Sequence, residues 1–320
     1  MLLKLKIRNL VVVNFSLKTY NMQQLLITGA NGFLGRNIQP LLQKSGYTVS
    51  TLDIANANVN SNLAKAIPCL KEPYDIILHA AGKAHFIPRT KAEENIFFDI
   101  NYQGTINLCK GLEISGLPRS FVFISTVAVY GVETGENITE EFPLNGHTPY
   151  ALSKIQAEQF LMDWSKKNNV ILSILRPSLI AGPNPPGNLG DMITGVESGR
   201  YLSIAGGVAK KSVLMVQDIA VLIPLLAEKG GIYNVCDEKQ LSLAQLANII
   251  ALQLNKKQPF NIPYWVAKAF ASIGDLLGRK APINSLKLRK ITESLTFSSE
   301  KIRRELNWQP SNVADNFKIK

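Results

Sequence analysis

The stretch QLLITGANGFLG, residues 24–35, decides the fold class of this chain. A short apolar run ends in a loop whose glycines, Gly29, Gly32 and Gly35, stand three residues apart, and a helical pattern begins at Phe33. Glycines at a strand-to-helix turn allow a tight bend, close approach to a pyrophosphate and close packing of the helix on the strand. The helix N-terminus, with Phe33 and Leu34, adds N–H donors. The stretch therefore predicts a dinucleotide-binding turn.

The next predicted strand, YTVSTLD, indicates which dinucleotide binds. It ends in Asp53, 18 residues after Gly35. An acid at this position can accept hydrogen bonds from the hydroxyls of the adenosine ribose. Neither Arg nor Lys follows Asp53 directly to hold a 2′-phosphate. The sequence therefore favours NAD over NADP.

The rest of the chain alternates short runs rich in β-branched residues with helical patterns, among them a short one near Asn62–Leu70 and one that starts at Glu93. Strands that are continuous apolar runs are buried on both faces of a parallel sheet. We therefore predict an α/β fold, with a Rossmann-type doubly wound parallel sheet over residues 22–180. Residues 181–320 are predicted to form a smaller C-terminal substrate-binding lobe, interleaved with the sheet through a strand and helix around residues 213–235.

Composition excludes several classes of function. The net charge is +11, but the basic clusters KLRK (287–290) and KIRR (301–304) lack the interleaved aromatic residues of a single-strand binder, so no nucleic-acid partner is expected. No apolar stretch reaches the roughly 18–20 residues that span a bilayer. The three cysteines and three histidines form no metal pattern, so we expect no metal and a reducing, cytoplasmic location.

The first 21 residues contain four basic residues and no acid. Their apolar run is short, is broken by Asn14 and leads to no small-residue cleavage site, unlike a signal peptide. We expect residues 1–21 to be an extension with little structural role.

Two Tyr-x-x-x-Lys motifs compete for a catalytic role. Tyr150 and Lys154 lie in PYALSK, and Tyr264 and Lys268 lie in PYWVAK. The spacing places both side chains of each pair on one helical face. A fixed lysine cation favours a phenolate and would lower the pKa of its tyrosine. Only the context can choose between the two pairs.

That context resembles the extended short-chain dehydrogenase/reductase family, and in particular its NAD-dependent epimerases and dehydratases. The motifs that carry the resemblance occur in order along residues 22–315: TGANGFLG, HAAG (79–82), NYQGT (101–105), FISTVAVYG (123–131), PYALSK and RPSLIAGP (176–183). The resemblance implies that Tyr150, Lys154 and Thr126 are catalytic. Tyr264 and Lys268 are then interpreted as core and surface of an ordinary helix.

The resemblance also implies a set of binding residues. For the cofactor, Lys154 holds the nicotinamide ribose, and the others are Asn62, Leu63, Ala80, Ala81, Gly82, Asn101 and Pro177. For the substrate, PPGNLGDMI resembles the nucleotide-binding segment of UDP-galactose 4-epimerases, and the implied residues are Ser125, Asn188, Leu189 and Lys211. A solvated lysine at a strand end remains an alternative interpretation of Lys211.

The two residues after Thr126 indicate the reaction. In the 4,6-dehydratases of this family an Asp-Glu pair stands there, whereas this chain has Val127 and Ala128, so dehydration is not expected. The first hypothesis is an NAD-dependent C4 epimerase of a UDP-sugar, a nucleotide-diphosphate sugar. The alternatives are an NAD(P)H-dependent 4-ketoreductase of a 4-keto-6-deoxy nucleotide sugar and a non-catalytic NAD(H)-binding protein. A homodimer is expected only from the family.

The apolar stretch YWVAKAFASIGDLLG, residues 264–278, is compatible with three roles. Packing against the protein is the default interpretation, and a partner or a membrane surface are the alternatives.

Overall fold

The computed structural model describes residues 23–277 and 283–319, so the prediction for residues 1–21 lies outside the described part of the chain. The strands are β1 (Gln24–Thr28), β2 (Thr48–Asp53), β3 (Val59–Asn60), β4 (Ile76–His79), β5 (Ser120–Ile124), β6 (Gly135–Ile138), β7 (Ile171–Pro177), β8 (Leu179–Ala181), β9 (Ser203–Ile204), β10 (Lys210–Lys211), β11 (Val213–Met215), β12 (Gly231–Val235), β13 (Leu241–Ser242), β14 (Asn261–Ile262) and β15 (Leu295–Phe297).

The helices are α1 (Phe33–Lys44), α2 (Lys91–Phe97), α3 (Gly104–Ser115), α4 (Pro149–Asn168), α5 (Gly187–Glu197), α6 (Val216–Lys229), α7 (Leu243–Gln253), α8 (Tyr264–Leu277), α9 (Ser285–Thr292), α10 (Glu300–Leu306) and α11 (Val313–Asn316). A π-helix, Phe98–Gln103, joins α2 to α3, and a 3₁₀ turn, Val127–Tyr130, comes after β5.

Seven parallel strands form the central sheet in the order β12-β7-β5-β4-β1-β2-β3. The strand order reverses at β1, which lies between β2 and β4. In open sheets of this kind, ligands bind beyond the carboxyl ends of the strands at such a reversal. The predicted doubly wound fold is confirmed, and the glycine loop lies at the reversal.

Helices cover both faces of this sheet because its strands are apolar on both sides. On one face Ile38 of α1 and Leu222 of α6 belong to a buried cluster with Ile27 of β1. On the other face Leu108 of α3 and Leu161 of α4 pack into a second cluster. Burial on both sides is what a parallel sheet requires.

A smaller lobe is built around a four-stranded sheet in the order β13-β10-β15-β6. Its core joins α5 and α7 to the C-terminal residues Val313, Phe317 and Ile319. The chain crosses between lobe and sheet more than once: α6 packs against α1, and β12 then pairs with β7 at the edge of the central sheet.

Two local predictions need correction. The short helix expected near Asn62–Leu70 is a turn, in which the Asn62 carbonyl accepts from the N–H groups of Lys65 and Ala66. Pro68 disfavours helical backbone in the residue before it, which prevents the turn from continuing. The helix expected from Glu93 begins at Lys91, where Thr90 and Glu93 form a capping box.

Candidate active site

The glycine loop after β1 is packed against the loop after β4. Gly29 has φ +70°, and a Cβ there would lie 2.7 Å from the Cα of Ala81. A Cβ at Gly35 would lie 2.5 Å from the Ala30 carbonyl oxygen, where α1 begins against the loop. The N-cap of α1 is Gly32, and no side chain of the described residues caps this helix. The N–H groups of its first turn are therefore available to an anion such as a pyrophosphate.

Asp53 is hydrogen-bonded to the other side of this loop. Its carboxylate accepts from the Asn31 N–H at 2.9 Å and from the Ile54 N–H at 2.7 Å. These two bonds hold the carboxylate at the carboxyl end of β2, beside the glycine loop. Its remaining lone pairs can accept from ribose hydroxyls, and its negative charge opposes a 2′-phosphate.

The residues expected near the adenine lie at the edge of the same site. Leu63 is buried against α3, and its carbonyl accepts from Asn107 Nδ2 at 2.7 Å. The Asn62 side chain accepts from the Ala64 N–H at 3.1 Å and stabilises its own turn.

A buried chain of hydrogen bonds positions the loop at Ala80 and Ala81. Thr28 Oγ1 accepts from the Ala81 N–H at 3.2 Å and contacts His79 Nδ1 at 2.6 Å, while His79 Nε2 contacts Thr105 Oγ1 at 2.9 Å. Thr105 donates its only hydroxyl proton to the Asn101 carbonyl. His79 therefore carries its proton on Nε2 and is neutral, and burial lowers its pKa to about 3.

Asn101, fully buried in the π-helix, fixes the continuation of this loop. Its side chain accepts from the Lys83 N–H at 2.7 Å and donates to Ser153 Oγ at 2.9 Å. A Cβ at Gly82 would lie 3.1 Å from Asn101 Oδ1 and 3.3 Å from Lys154 Nζ. Gly82 thus packs closely against Asn101 and Lys154, with little room for a side chain. Pro177, the buried last residue of β7, pairs with Val235 at the neighbouring strand end.

The first Tyr-Lys pair meets Thr126, as expected. Thr148 caps α4, and Pro149 at its first turn places Tyr150 one residue inside the helix. The Thr126 hydroxyl lies close enough to the Tyr150 phenol to lower its pKa. Thr126 also accepts from the Ala128 N–H at 3.2 Å, which caps the 3₁₀ turn after β5 and orients its hydroxyl.

Lys154 lies below this pair and is only 4% exposed. Its ammonium donates to the Ile124 carbonyl at 2.8 Å and lies 4.5 Å from the centre of the Phe123 ring. Burial lowers the pKa of Lys154 to about 8. A cation is therefore held at one fixed place beneath Gly82.

One part of the prediction for this pair is wrong. Lys154 is predicted to lower the pKa of Tyr150, but burial raises the pKa of Tyr150, opposed by the nearby Thr126 hydroxyl. The reason is that the Lys154 ammonium donates to the Ile124 carbonyl, while the phenol lies in a poorly hydrated site beside the Phe97 ring, 6.0 Å between centres.

A buried ionic network lies beneath the site, and none of the sequence motifs predicts it. Arg176 Nη2 donates to Glu158 at 2.6 Å, and both side chains are almost completely buried. Ser125 Oγ donates to the same carboxylate. The network continues through Tyr130, whose hydroxyl accepts from Arg176 and donates to Asn234 at 2.6 Å. Two signals were present: Glu158 comes one helical turn after Lys154, and Arg176 interrupts an apolar strand.

The four residues expected to bind the substrate differ in their surroundings and contacts. The Ser125 hydroxyl is directed to Glu158. Asn188 is exposed at the start of α5, whereas Leu189 is only 1% exposed and packs in the lobe core. Lys211 Nζ donates to the Glu293 carbonyl at 2.9 Å, so Lys211 is held and is not a freely solvated lysine.

His85 is a further candidate for the site. Its backbone has φ +54°, and its ring lies so close to Gly187 that a Cβ there would clash with Nδ1. The loop after Gly82 therefore contacts the first residue of α5. Phe86 of this loop stacks on Phe97, whose ring contacts Tyr150. No sequence pattern marks His85; only the fold brings these segments together.

The second Tyr-Lys pair has no such surroundings. Tyr264 begins α8 and is 48% exposed, and Lys268 is also exposed. The interpretation of Tyr264 as a core residue is therefore wrong. Among the described residues no cluster of three or more potential metal ligands occurs.

Comparison with known proteins identifies the family. The profile of the NAD dependent epimerase/dehydratase family matches residues 25–236, which contain Thr126, Tyr150 and Lys154. The chain belongs to this family. It is therefore an NAD-dependent sugar-nucleotide epimerase or a closely related oxidoreductase, and the alternative of a non-catalytic protein is set aside.

Similar members of the epimerase/dehydratase family differ in their reactions. The chain is 27% identical to an N-acetyl-alpha-D-glucosaminyl-diphospho-ditrans,octacis-undecaprenol 4-epimerase of Escherichia coli O157:H7, over 87% of this chain and 88% of that protein. It is 26% identical to a GDP-6-deoxy-D-mannose reductase of Pseudomonas aeruginosa, over 72% of this chain and 79% of that protein. The UDP-N-acetylglucosamine 4-epimerase structure from Bacillus cereus superposes with a TM-score of 0.69 at 21% identity, covering 92% and 96%.

The residues present fit the NAD of this family. The uncapped N-terminus of α1 can hold the pyrophosphate, Asp53 can hold the adenosine ribose, and Gly82 brings the loop after β4 against Lys154. NAD is the cofactor.

Proposed function

We propose that the protein is an NAD-dependent C4 epimerase of a UDP-sugar, acting through a transient 4-keto sugar. The observation that carries the proposal is the proximity of Tyr150 to Thr126, with the buried Lys154 ammonium one helical turn further along α4. This arrangement supplies an acid-base group, a hydroxyl that can orient a sugar oxygen, and a fixed cation, and it adds no second acid-base pair next to Thr126.

Held by the glycine loop, Asp53 and Lys154, NAD would supply a reversible acceptor for the hydride at C4 of the sugar. Tyr150 takes the proton of the C4 hydroxyl through its phenolic oxygen, while Thr126 holds the sugar oxygen by a hydrogen bond. Lys154 would hold the nicotinamide ribose, while the Thr126 hydroxyl opposes the rise in the Tyr150 pKa that burial causes. When the hydride returns to the other face of the carbonyl carbon, Tyr150 gives the proton back to the oxygen. One proton and one hydride leave and return, so C4 is inverted without net oxidation.

The residues after Thr126 argue against dehydration. Val127 and Ala128 begin the 3₁₀ turn. Neither side chain can transfer a proton, so water cannot be eliminated from the keto sugar by the groups at these positions.

A 4-ketoreductase is the second candidate, because a GDP-6-deoxy-D-mannose reductase is among the relatives. Two features favour the epimerase. The Asp53 carboxylate beside the glycine loop disfavours the 2′-phosphate of NADPH. Two of the three proteins compared above are 4-epimerases.

Contacts with the diphosphate are part of the same proposal. We assign to Asn188 a polar contact from the start of α5, and to Leu189 the packing that anchors this helix. Lys211 contributes a positive charge from the position at which the Glu293 carbonyl holds it. We also place the reaction in the cytoplasm, since Cys69, Cys109 and Cys236 are all free thiols.

The test of the reaction is proton NMR of the purified protein with UDP-N-acetylglucosamine or UDP-galactose and no added NADH. Appearance of the C4 epimer without net change in the cofactor is expected. Should both sugars stay unchanged while a 4-keto-6-deoxy sugar nucleotide oxidises added NADH, the protein is a reductase and the epimerase proposal fails.

The first prediction concerns the acid-base group. Tyr150→Phe removes the phenolic oxygen, and kcat is expected to fall by at least about a hundredfold because general acid-base catalysis contributes that much or more. NAD binding, measured by calorimetry, is expected to be unchanged.

Tyr264→Phe is the matched control, since it makes the same change in the other Tyr-x-x-x-Lys motif and should leave kcat unchanged. Full activity in the Tyr150 variant would contradict the mechanism.

A further inference from the structure

Helix α8 has an unusual distribution of side chains. The residues that it buries against the protein are small: Ala267, Ala271 and Gly274. They lie on one line along the helix and pack with Ile204 and Leu288 of the neighbouring segments. The large apolar residues of the helix are thus excluded from the contact that holds it.

Those large residues are exposed. Trp265 is 74% exposed and Leu276 is 88% exposed, and the others are Phe270 at 59%, Ile273 at 55% and Leu277 at 66%. At about 100° per residue they occupy an arc of about 140° of the helix circumference, separate from the buried line. We name these five residues the α8 patch. Packing, the default interpretation of this stretch, is therefore wrong for its large side chains.

A contiguous exposed apolar patch of this kind costs free energy in water and marks a surface that something covers. The charge of the segment around the α8 patch indicates the chemistry of the partner that binds it. Residues 255–293 contain eight basic and two acidic residues, a net charge of 8 − 2 = +6. Both acids are engaged: Asp275 accepts from Ser285 at 3.0 Å, and Glu293 pairs with Arg289 at 3.0 Å. This segment is strongly basic, and one of its lysines, Lys290, pairs with Glu133 at 2.9 Å.

We propose that α8 lies in the plane of an anionic lipid bilayer, with the α8 patch inserted among the lipids and the basic residues at the headgroups. Trp, Phe and Leu on one face of a helix with basic residues around it are the properties of interfacial helices. Each basic residue near an anionic surface adds to the attraction. The 14 residues of α8 rise only about 21 Å, short of a bilayer core of about 30 Å. No helix of residues 23–277 and 283–319 is long and apolar enough to cross a membrane.

Two other partners for the α8 patch, a second copy of the chain and residues 1–21, fit the positive charge of this segment less well. A second copy of the chain would bring two segments of net charge +6 together, and like charges repel. Residues 1–21 carry four basic residues and no acid, so they would add positive charge to the same surface. Only an anionic cover is complementary to the patch and its surroundings.

Tryptophan fluorescence tests the proposal directly. Trp164 and Trp308 are 5% and 3% exposed, so Trp265 is the one tryptophan of the chain's three that can change its environment at a surface. The full chain is mixed with vesicles of phosphatidylcholine, or of phosphatidylcholine with about 30% phosphatidylglycerol, at low and high salt. A blue shift and co-flotation are expected with the anionic vesicles at low salt. Equal binding to both kinds of vesicle at both salt concentrations would overturn the proposal.

Variants locate the binding surface. Leu276→Glu with Leu277→Glu places two charges in the α8 patch at highly exposed positions, and flotation is expected to weaken by about tenfold or more. Ile114→Glu is the matched control, because Ile114 is 79% exposed on α3, outside the patch. Both variants should keep the activity on a water-soluble substrate and the Tm of the wild type. Equal loss of flotation in both variants would contradict a role for α8.

The same experiment can also show that one of the other two partners binds the α8 patch. A blue shift that depends on protein concentration without lipid, together with a dimer that the α8 variant abolishes in ultracentrifugation, would assign the patch to a second copy. Vesicle binding that appears only after residues 1–22 are removed would assign it to that segment. Either result overturns the proposal.

Discussion

Lys154 shows at the scale of one residue how a catalytic position conflicts with stability. The side chain is charged at neutral pH, is 4% exposed and has burial as the main influence on its pKa. Glu158, one turn further along α4, favours the charged form, but its carboxylate is also bonded to Arg176. The protein keeps the ammonium beside the Ile124 carbonyl and the Phe123 ring, at the expense of its hydration.

This leads to a prediction for Lys154→Met. The folded pKa of about 8 lies below the ordinary value of 10.5, so the protonated lysine destabilises the folded state below pH 8. The variant is expected to abolish activity and yet raise the free energy of unfolding at pH 7 by about 2–3 kcal/mol. Urea denaturation measures the difference.

The pH dependence of that difference provides the check. The advantage of the Met variant should be constant below pH 8 and shrink as the pH rises from 8 toward 10.5, because the wild-type lysine then loses its proton. A variant that is less stable than the wild type at pH 7 would show that the cost of burying the ammonium is not the main contribution of Lys154 to the free energy of unfolding.

At the scale of elements, the turn after β1 was predictable and the network beneath the site was not. The glycine loop depends on backbone geometry within eight residues, so its spacing alone indicates the turn. The hydrogen bond between Tyr130 and Asn234 joins residues 104 positions apart, and no local pattern contains that distance. His85 was missed for the same reason, because its place in the site depends on which segments the fold brings together.

The glycine loop offers a prediction with an internal control. Gly29 and Gly199 both have φ +70°, but a Cβ at Gly29 would lie 2.7 Å from the backbone of Ala81, whereas a Cβ at Gly199 would meet nothing within 4 Å. Gly29→Ala should abolish NAD binding and lower the free energy of unfolding by about 2 kcal/mol more than Gly199→Ala. Fluorescence titration with NADH and urea denaturation measure the two effects. Equal effects of the two substitutions would mean that backbone strain at positive φ, and not the clash with Ala81, accounts for the losses of binding and stability.

At the scale of the whole molecule, the C-terminal residues connect elements that are distant in sequence. Ser311 donates to Asp218 of α6, and Val313 donates through its N–H to Asp237 after β12. The Ile319 carbonyl accepts from the Asn184 N–H, three residues before α5 begins. The last residues of the chain therefore hold the loop that leads to the proposed diphosphate site.

Deleting residues 319–320 is predicted to loosen that loop. Under the proposed function, KM for the nucleotide sugar should rise about fivefold or more, because a hydrogen bond and a buried apolar side chain are lost. Cleavage within residues 183–187 by a protease should become faster, a readout that does not depend on the reaction. Ile319→Val retains the carbonyl and should behave as the wild type; a deletion variant that also does so would contradict this role.

The place of β12 has a consequence for synthesis on the ribosome. The strand pairs with β7 at the edge of the central sheet, but its first residue, Gly231, comes 54 positions after Pro177. At about 5–20 residues per second, the growing chain carries β7 as an open edge for roughly 3–11 s before its neighbour is made. An open apolar edge is a template for pairing with another chain. Crowding of nascent chains, rather than the stability of the finished enzyme, then sets the yield of correctly folded protein.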